Sequence, residues 1–261
     1  MQTDNRSQRI AVTGATGRLG SHLVEILAQR GHDVVPIARS KGVDVVSGEG
    51  LDQALVGVET IVDAATGPSP DQQEATAFFT ASARNVQRAG AAAGARRIIV
   101  VSIIGIDKFQ GGYNAAKMAQ EQTLLEGPLP VRIVRAAQFH EFVEPLVGWT
   151  IQDGVAYVPE MRTQLVAARV VAESLADAAE EPEIENGRIT EVAGPKEERL
   201  AEAAAALLAR RGDSLEIRET RGGPLAEPDD PDAAAYAEGA ALPNPGAKLA
   251  GPSFREWLVA A

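Results

Sequence analysis

The stretch IAVTGATGRLG, residues 10–20, decides the fold of this chain. Its first four residues are typical of a buried strand, and they lead into a turn with glycines at Gly14, Gly17 and Gly20. Apolar residues then recur at helical spacing from Leu19 to Leu27, which predicts a helix that starts at Gly20. Glycine lets the chain turn sharply and lets the backbone approach a pyrophosphate, while the helix N-terminus presents N–H groups to the phosphates. The stretch therefore predicts a dinucleotide-binding loop.

The next strand-like segment, Asp33–Ile37, leads to the residues that select the cofactor. Pro36 is placed near the end of that strand, since proline cannot donate to the ladder. Arg39 and Ser40 follow about 20 residues beyond the glycines, where dinucleotide folds bind the adenosine ribose. A carboxylate there would bind the ribose hydroxyls of NAD, whereas a guanidinium forks onto a phosphate. Arg39 therefore predicts NADP(H) in preference to NAD(H), with Arg18 as a second cation; the alternative is that both are surface arginines.

The following segments alternate between strand and helix patterns. They are a strand at 43–46, a helix at 51–55, a strand at 59–66, a helix at 72–89, a strand at 97–102, a helix at 113–125 and a strand at 131–135. This alternation predicts an α/β fold with a doubly wound parallel sheet, the Rossmann fold. The small residues Ala64, Ala65 and Thr66 end one strand and let its backbone lie against a cofactor.

Beyond Arg135 the pattern is less regular. We expect a helix at 139–151, a strand at 155–158, a helix at 170–179, a strand and turn at 188–195, an Ala-rich helix at 197–210, mostly loop at 222–252 and a final helical turn at 254–259. We therefore expect a Rossmann core over 1–137. Residues 138–261 would form a small substrate-covering subdomain interleaved with the core in one compact unit.

Composition limits the function classes. The 261 residues are 45% hydrophobic and carry a formal net charge of −11 with no cysteine. An acidic chain repels phosphate backbones, and disulfides, thiolate nucleophiles and Cys-ligated metals need cysteine. No His/Asp/Glu cluster has metal-ligand spacing, and no apolar run approaches a membrane span. We expect a soluble, cytoplasmic protein with a small-molecule substrate, no metal, and neither nucleic acid nor membrane as partner; a homo-oligomer stays open.

The loop TGATGRLG, residues 13–20, resembles the cofactor loop of atypical and extended short-chain dehydrogenase/reductases, especially the NmrA-like group. The resemblance extends through VSIIGID (101–107), YNAAK (113–117), RAAQF (135–139), AGP (193–195) and a closing Trp257-Leu258. It implies an NAD(P)-binding Rossmann fold with the substrate cleft over the nicotinamide. The cofactor-binding positions that it implies are Gly14, Thr16, Gly17, Arg18, Leu19, Gly20, Arg39, Ser40, Ala64, Ala65, Thr66, Ser102, Lys117, Ala137, Gln138 and Phe139.

Tyr113 and Lys117 form a Y-x-x-x-K pair, which lies on one helix face. In the family this pair lies beside the nicotinamide: the tyrosine passes a proton, and the lysine lowers the pKa of the tyrosine and holds the ribose. Ser102 is a further catalytic candidate, with capping of the strand end as its alternative. The positions where the family places its catalytic serine are isoleucines, 103 and 104. His140 follows a strand end and is a candidate acid or base; the alternative is a structural histidine.

These observations predict an NADPH-dependent oxidoreductase that transfers hydride to a small organic carbonyl, quinone or enone. A non-catalytic NADP(H)-binding sensor or regulator is one alternative. A non-redox enzyme on the same fold, such as a cyclase or epimerase, is the other. Turnover of the cofactor separates the first hypothesis from the sensor.

Overall fold

The structure, a computed structural model, describes residues 7–182, 185–221 and 232–260. The strands are β1 (Arg9–Thr13), β2 (Asp33–Ile37), β3 (Thr60–Asp63), β4 (Arg97–Ile103), β5 (Val131–Ala136), β6 (Ile151–Gln152), β7 (Val155–Pro159), β8 (Arg162–Thr163), β9 (Arg188–Ala193), β10 (Glu198–Arg199), β11 (Glu216–Thr220) and β12 (Lys248–Leu249). The helices are α1 (Arg18–Gln29), α2 (Leu51–Ala54), α3 (Gln72–Ala92), α4 (Gly112–Leu125), α5 (Val143–Trp149), α6 (Ala168–Glu180), α7 (Leu200–Arg211), α8 (Ala233–Ala237) and α9 (Phe254–Ala260). Short 3₁₀ turns cover 39–41, 106–108 and 140–142.

Seven strands form a parallel sheet in the order β12-β9-β5-β4-β3-β1-β2, which confirms the predicted Rossmann-like α/β fold. The order steps outward from β1 in both directions, as in doubly wound folds that bind ligands at the carboxyl ends of their strands. At that edge Thr13 of β1 is in register with Asp63 of β3. Pro36 lies in β2, an edge strand, where a missing ladder donor is tolerated.

The amphipathic pattern behind the glycines forms helix α1 as predicted. Its buried face carries Leu19, Gly20, Leu23, Ile26 and Leu27. The helix begins at Arg18, two residues before the predicted start. Gly17 is its N-cap, with the extended backbone that this position takes.

The predicted strand at 43–46 is wrong, and these residues form a turn. The Asp44 carboxylate accepts the backbone N–H of Val46 at 2.7 Å, and the Gly48 N–H donates to the Asp44 carbonyl at 2.8 Å. These local bonds compete with a sheet ladder, as Asp side chains commonly do in turns. Val43 and Val45 still pack against buried apolar residues, which explains why the segment has a strand-like pattern.

The structure corrects three further predictions after β5. The helix expected at 139–151 is a 3₁₀ turn followed by α5 alone, and the Ala-rich helix starts at Leu200 because Glu198 and Arg199 pair with β8. Strands β6 and β7 form a hairpin. The hairpin turn is Asp153-Gly154, with φ of 48° and 78°, a dipeptide that favours such turns. Of the loop expected at 222–252, residues 222–231 lie outside the described residues, and the rest contains α8 and β12.

The chain divides into two compact units. The first unit comprises residues 1–102, 115–134 and 171–190, and the second comprises 103–114, 135–170 and 191–261. Each unit has its own buried apolar cluster. The first cluster includes Ile61, Ile98 and Val131, and the second includes Val158 and Phe254. Within the described residues, no helix is both long enough and apolar enough to cross a membrane.

Candidate functional site

The glycine loop of the first unit lies directly against the end of β3. Gly14 has a φ of +66°, a conformation that L side chains rarely adopt. A Cβ atom added there would lie 2.6 Å from the carbonyl oxygen of Ala64. The small residues Ala64 and Ala65 at the end of β3 therefore pack against this loop, and Gly14 is required by the fold itself.

The other two glycines have different neighbours. A Cβ at Gly20 would lie 2.1 Å from the Gly14 carbonyl oxygen, so Gly20 allows α1 to begin under the loop. Gly17 is exposed and has an ordinary φ of −78°. A Cβ there would meet only the Gly14 carbonyl oxygen, at 3.2 Å. The backbone at Gly17 is therefore constrained least by the protein, and its outer side faces solvent.

The start of α1 is suited to an anion. No side chain caps this helix, and its first turn contains no acidic residue. By contrast, the start of α3 is capped by Asp71, whose carboxylate accepts the Glu74 N–H at 2.9 Å. Uncapped N–H groups and the positive dipole end favour phosphate oxygens. The loop and the helix therefore fit the diphosphate of a dinucleotide.

The remaining loop residues divide by exposure. Thr16 and Arg18 are exposed, whereas Leu19 is buried and contributes its side chain to the core. Leu19 can therefore offer a cofactor only its backbone.

The residues after β2 offer positive charge at the surface. Arg39, Ser40 and Lys41 form an exposed 3₁₀ turn with no acidic residue in it. Among the described residues no carboxylate pairs with Arg39. Its guanidinium is thus available to a ligand anion. The predicted contact of Arg39 with a ribose phosphate remains a prediction.

A buried polar network joins the strand ends of the first unit to helix α4. The Thr13 hydroxyl donates to Asp63, which also accepts the Ala65 N–H at 3.2 Å. The side-chain amide of Gln120 donates to the second oxygen of Asp63 at 2.9 Å. The same amide accepts from the Lys117 ammonium at 2.5 Å. All four side chains in this network are nearly inaccessible to solvent.

Lys117 is enclosed on several sides. Its ammonium also donates to the Val101 carbonyl at 2.7 Å and lies 4.7 Å from the centroid of the Phe79 ring. Burial lowers the pKa of Lys117 from 10.5 to about 8, against the opposing charges of Asp63 and Glu121. This lysine exchanges its proton near neutral pH, unlike an exposed lysine. Its predicted role toward the nicotinamide ribose is untested.

Ser102 lies near the end of β4, in the first unit. Its side chain is buried, and its hydroxyl has no hydrogen-bond partner among the described residues. The alternative of a strand-end cap therefore has no support from its contacts. Ile103 and Ile104 follow it, and Ile104 is fully buried.

Tyr113 lies in the second unit, at the start of α4. Asp232 holds the loop before it in place. Its carboxylate accepts hydrogen bonds from the backbone N–H groups of Gln110 and Gly111 at 2.7 and 2.9 Å. Asn114 donates to the Tyr236 hydroxyl at 2.5 Å. Tyr113 itself is half-buried. The segment around α8 therefore holds the loop that directly precedes Tyr113.

The residues that follow β5 are also held within the second unit. The Ala137 N–H donates to the Val192 carbonyl at 3.0 Å. The Gln138 side chain accepts from the Thr163 hydroxyl at 2.6 Å. Phe139 and Val166 form an isolated parallel β-bridge. These bonds hold residues 137–139 in place, and Ala137, Gln138 and Phe139 remain predicted cofactor contacts.

His140 is a packed core residue. It is 1% exposed, and its Nε2 lies 3.1 Å from the Pro252 carbonyl oxygen. Its ring meets the Phe254 ring edge to face and the Trp257 ring at a tilt, at centroid distances of 5.5 and 5.3 Å. Burial lowers its pKa, so the imidazole is neutral at neutral pH. These contacts favour the structural interpretation, with the partner being a backbone carbonyl and not Glu141, which accepts from the Ala168 N–H.

The two units thus divide the predicted site residues. The first contains the glycine loop, Arg39, Ser40, Ala64, Ala65, Thr66, Ser102 and Lys117, and the second contains Tyr113, Ala137, Gln138, Phe139 and His140. Sequence reasoning missed Asp63 and Gln120. The signal for Asp63 was an acidic residue at the end of an otherwise apolar strand, where a buried carboxylate needs donors. Gln120 gave a weaker signal, since it lies one turn beyond Lys117 on the same helix.

Comparison with known proteins identifies the class. The sequence model of the NAD(P)H-binding family matches residues 14–182, well over half of the chain. The chain therefore belongs to the NAD(P)H-binding family.

Individual relatives are distant. A ceramide reductase of Caulobacter vibrioides is 34% identical over 150 residues, which cover 52% of this chain and 47% of the relative. The chain spans about half the length of the relatives that it matches by sequence.

Two solved structures share the fold. A dTDP-4-dehydrorhamnose reductase from Bacillus anthracis in complex with NADP is 19% identical, with a TM-score of 0.71 over 98% of each chain. An NADPH-dependent quinone oxidoreductase from Escherichia coli is also 19% identical, with a TM-score of 0.65 over 96% of this chain and 98% of the other. At such identity these similarities concern the fold.

Proposed function

We propose that this protein is an NADPH-dependent oxidoreductase that reduces a small organic carbonyl, quinone or enone. The observation that carries the proposal is the glycine loop at the uncapped start of α1, followed after β2 by exposed Arg39 in a turn that has no acidic residue. The loop would hold the diphosphate through backbone N–H groups. Arg39 would pair with the ribose phosphate that distinguishes NADP(H) from NAD(H).

The chain's own residues would then handle the proton and the orientation of the reactants. When bound, the cofactor supplies the hydride. Tyr113 would donate a proton to the substrate oxygen, and Lys117 would hold the nicotinamide ribose. Tyr113 is preferred over His140 as the donor, because His140 is buried and bonded to a backbone carbonyl. The relatives named as reductases support this choice of reaction class.

Two measurements test the proposal. Calorimetric titration should show tighter binding of NADPH than of NADH. The absorbance of the reduced nicotinamide should then decay in the presence of at least one substrate from a panel of aldehydes, ketones, quinones and enones. Equal affinity for both cofactors would contradict the preference, and binding of neither would contradict the whole proposal.

A second candidate is a non-catalytic NADP(H)-binding regulator. The replacement of the family's serine by Ile103 and the fully buried Ile104 favours it, because the substrate oxygen then lacks one hydrogen-bond donor. A regulator would bind NADPH with the same residues and leave it unoxidised with every member of the panel.

A further inference from the structure

We propose that Gln120 is a positioning residue for Lys117: its side-chain amide, held in one orientation by Asp63, fixes the lysine ammonium and links it to the strand that starts the glycine loop. This proposal rests on the proposed function, which gives Lys117 its role toward the cofactor. A lysine that binds a cofactor has to be held in a defined position. The orientation itself is argued from contacts within the first unit alone.

The first step concerns Asp63. This carboxylate is 1% exposed and accepts from the Thr13 hydroxyl and from the Ala65 N–H. Both donors are fixed by the end of β1 and by the backbone after β3. The carboxylate has further lone pairs to offer to a third donor. The third donor in the structure is the Gln120 amide nitrogen, at 2.9 Å.

The second step concerns the orientation of the amide. The nitrogen and oxygen ends of a glutamine amide differ only in hydrogen bonding, so the partners decide which end points where. Since Asp63 can only accept, it requires the nitrogen end. The oxygen end must then point the other way, where it accepts from the Lys117 ammonium at 2.5 Å. Asp63 thus selects the amide orientation that Lys117 needs.

The third step concerns the lysine. Its surroundings are the Val101 carbonyl from β4, the Phe79 ring from α3, Asp63 from β3, and Gln120 and Glu121 from its own helix. Among the described residues, Gln120 is the side chain that accepts from the ammonium. Without it the buried ammonium would keep the Val101 carbonyl and lose one of its two described acceptors, which is unfavourable for a buried charge. Replacement of Gln120 should therefore change both the place and the protonation of Lys117.

The test is a titration of the lysines by NMR in the cofactor-free protein labelled with ¹³Cε-lysine. The chain contains five lysines, at 41, 108, 117, 196 and 248, so the spectrum is simple. The signal of Lys117 is assigned by its loss in Lys117→Gln, and its midpoint is expected near pH 8. In Gln120→Leu the midpoint should fall by about one pH unit, since a hydrogen bond to a charged group is lost while burial stays.

Two further variants sharpen the test. Gln120→Met keeps the length of the side chain but has neither the amide donor nor the amide acceptor, so it should also lower the midpoint, and it decides the matter if Gln120→Leu does not fold. Gln122→Leu is the matched control, because Gln122 is exposed on the same helix, and it should leave the midpoint unchanged. An unchanged midpoint in the folded Gln120 variants, or an equal change in Gln122→Leu, overturns the proposal.

NADPH titrations across the same pH range separate this proposal from the proposed function. If affinity falls as Lys117 loses its proton, the fall should occur at lower pH in Gln120→Leu, together with the NMR midpoint. A cofactor affinity independent of that midpoint contradicts the ribose-binding role of Lys117. The positioning by Gln120 is judged on the lysine signal alone.

Discussion

Replacement of Gly17 by alanine separates the phosphate-binding role of the loop from its structural role. Gly17 has a φ of −78°, and its added Cβ would meet only the Gly14 carbonyl oxygen, at 3.2 Å. Alanine at a helix N-cap costs about 1 kcal/mol of stability relative to a preferred residue, so the variant should fold. The Cβ would occupy the outer side of the loop, where a diphosphate would approach.

The expected loss in affinity follows from the hydrogen bonds that the loop would make with the diphosphate. One charge-assisted hydrogen bond contributes about 1.5–3 kcal/mol, so NADPH affinity should fall roughly ten- to a hundredfold. Isothermal titration calorimetry measures this loss, and thermal unfolding measures the stability. Gly20→Ala provides the contrast: its Cβ would lie 2.1 Å from the Gly14 carbonyl oxygen, so the protein itself should be destabilised.

Gly148→Ala is the matched control, since Gly148 lies in α5 and its Cβ would meet no atom within 4 Å. This variant should keep both stability and affinity. If Gly17→Ala is folded and binds NADPH as tightly as the unmodified protein does, the loop is not the phosphate site.

Three other predictions concern charge and protons. Arg39→Ala should weaken NADPH binding by about 1–3 kcal/mol and leave NADH binding unchanged; an equal loss for both cofactors in the same titration would contradict the phosphate contact. Because the pKa of Lys117 is 10.5 unfolded and about 8 folded, the unfolded chain binds more protons between these values. The stability of the unmodified protein relative to Lys117→Gln should therefore rise with pH across that window, as measured by urea unfolding, and a flat difference would refute the lowered pKa. Tyr113→Phe should reduce turnover by about 10²–10⁴-fold with near-normal NADPH binding. Full activity in Tyr113→Phe together with loss of activity in a folded His140→Ala would assign the proton to the histidine.

The Rossmann-like sheet could be predicted because its strands are short apolar segments separated by periodic helices. The signal failed where local side-chain bonds decide the structure. At 43–46 the pattern of valines is that of a strand, yet the Asp44 carboxylate closes a turn. After β5 the elements are short and pair with distant segments, as β10 does with β8, and pairing of this kind leaves little trace in local periodicity.

The candidate site could be predicted only in part, for a related reason. Glycine spacing indicates backbone geometry directly. In the structure Gly14 and Gly20 have to be glycine because a Cβ at either position would lie too close to the protein's own backbone. A hydrogen-bond network, by contrast, joins side chains that come together only when the chain folds. Asp63 and Gln120 are 57 positions apart in the chain, and nothing in either local sequence indicates that they share a bond.

The two ends of the seven-stranded sheet have a consequence for self-association. An exposed sheet edge is a template on which another chain can add a strand, and long flat edges promote aggregation. Here one edge strand, β2, contains Pro36, which has no N–H to donate. The other, β12, is only two residues long. Neither edge offers an incoming strand a full row of backbone partners, so growth of this sheet into cross-β assemblies is disfavoured at both ends while the protein is folded.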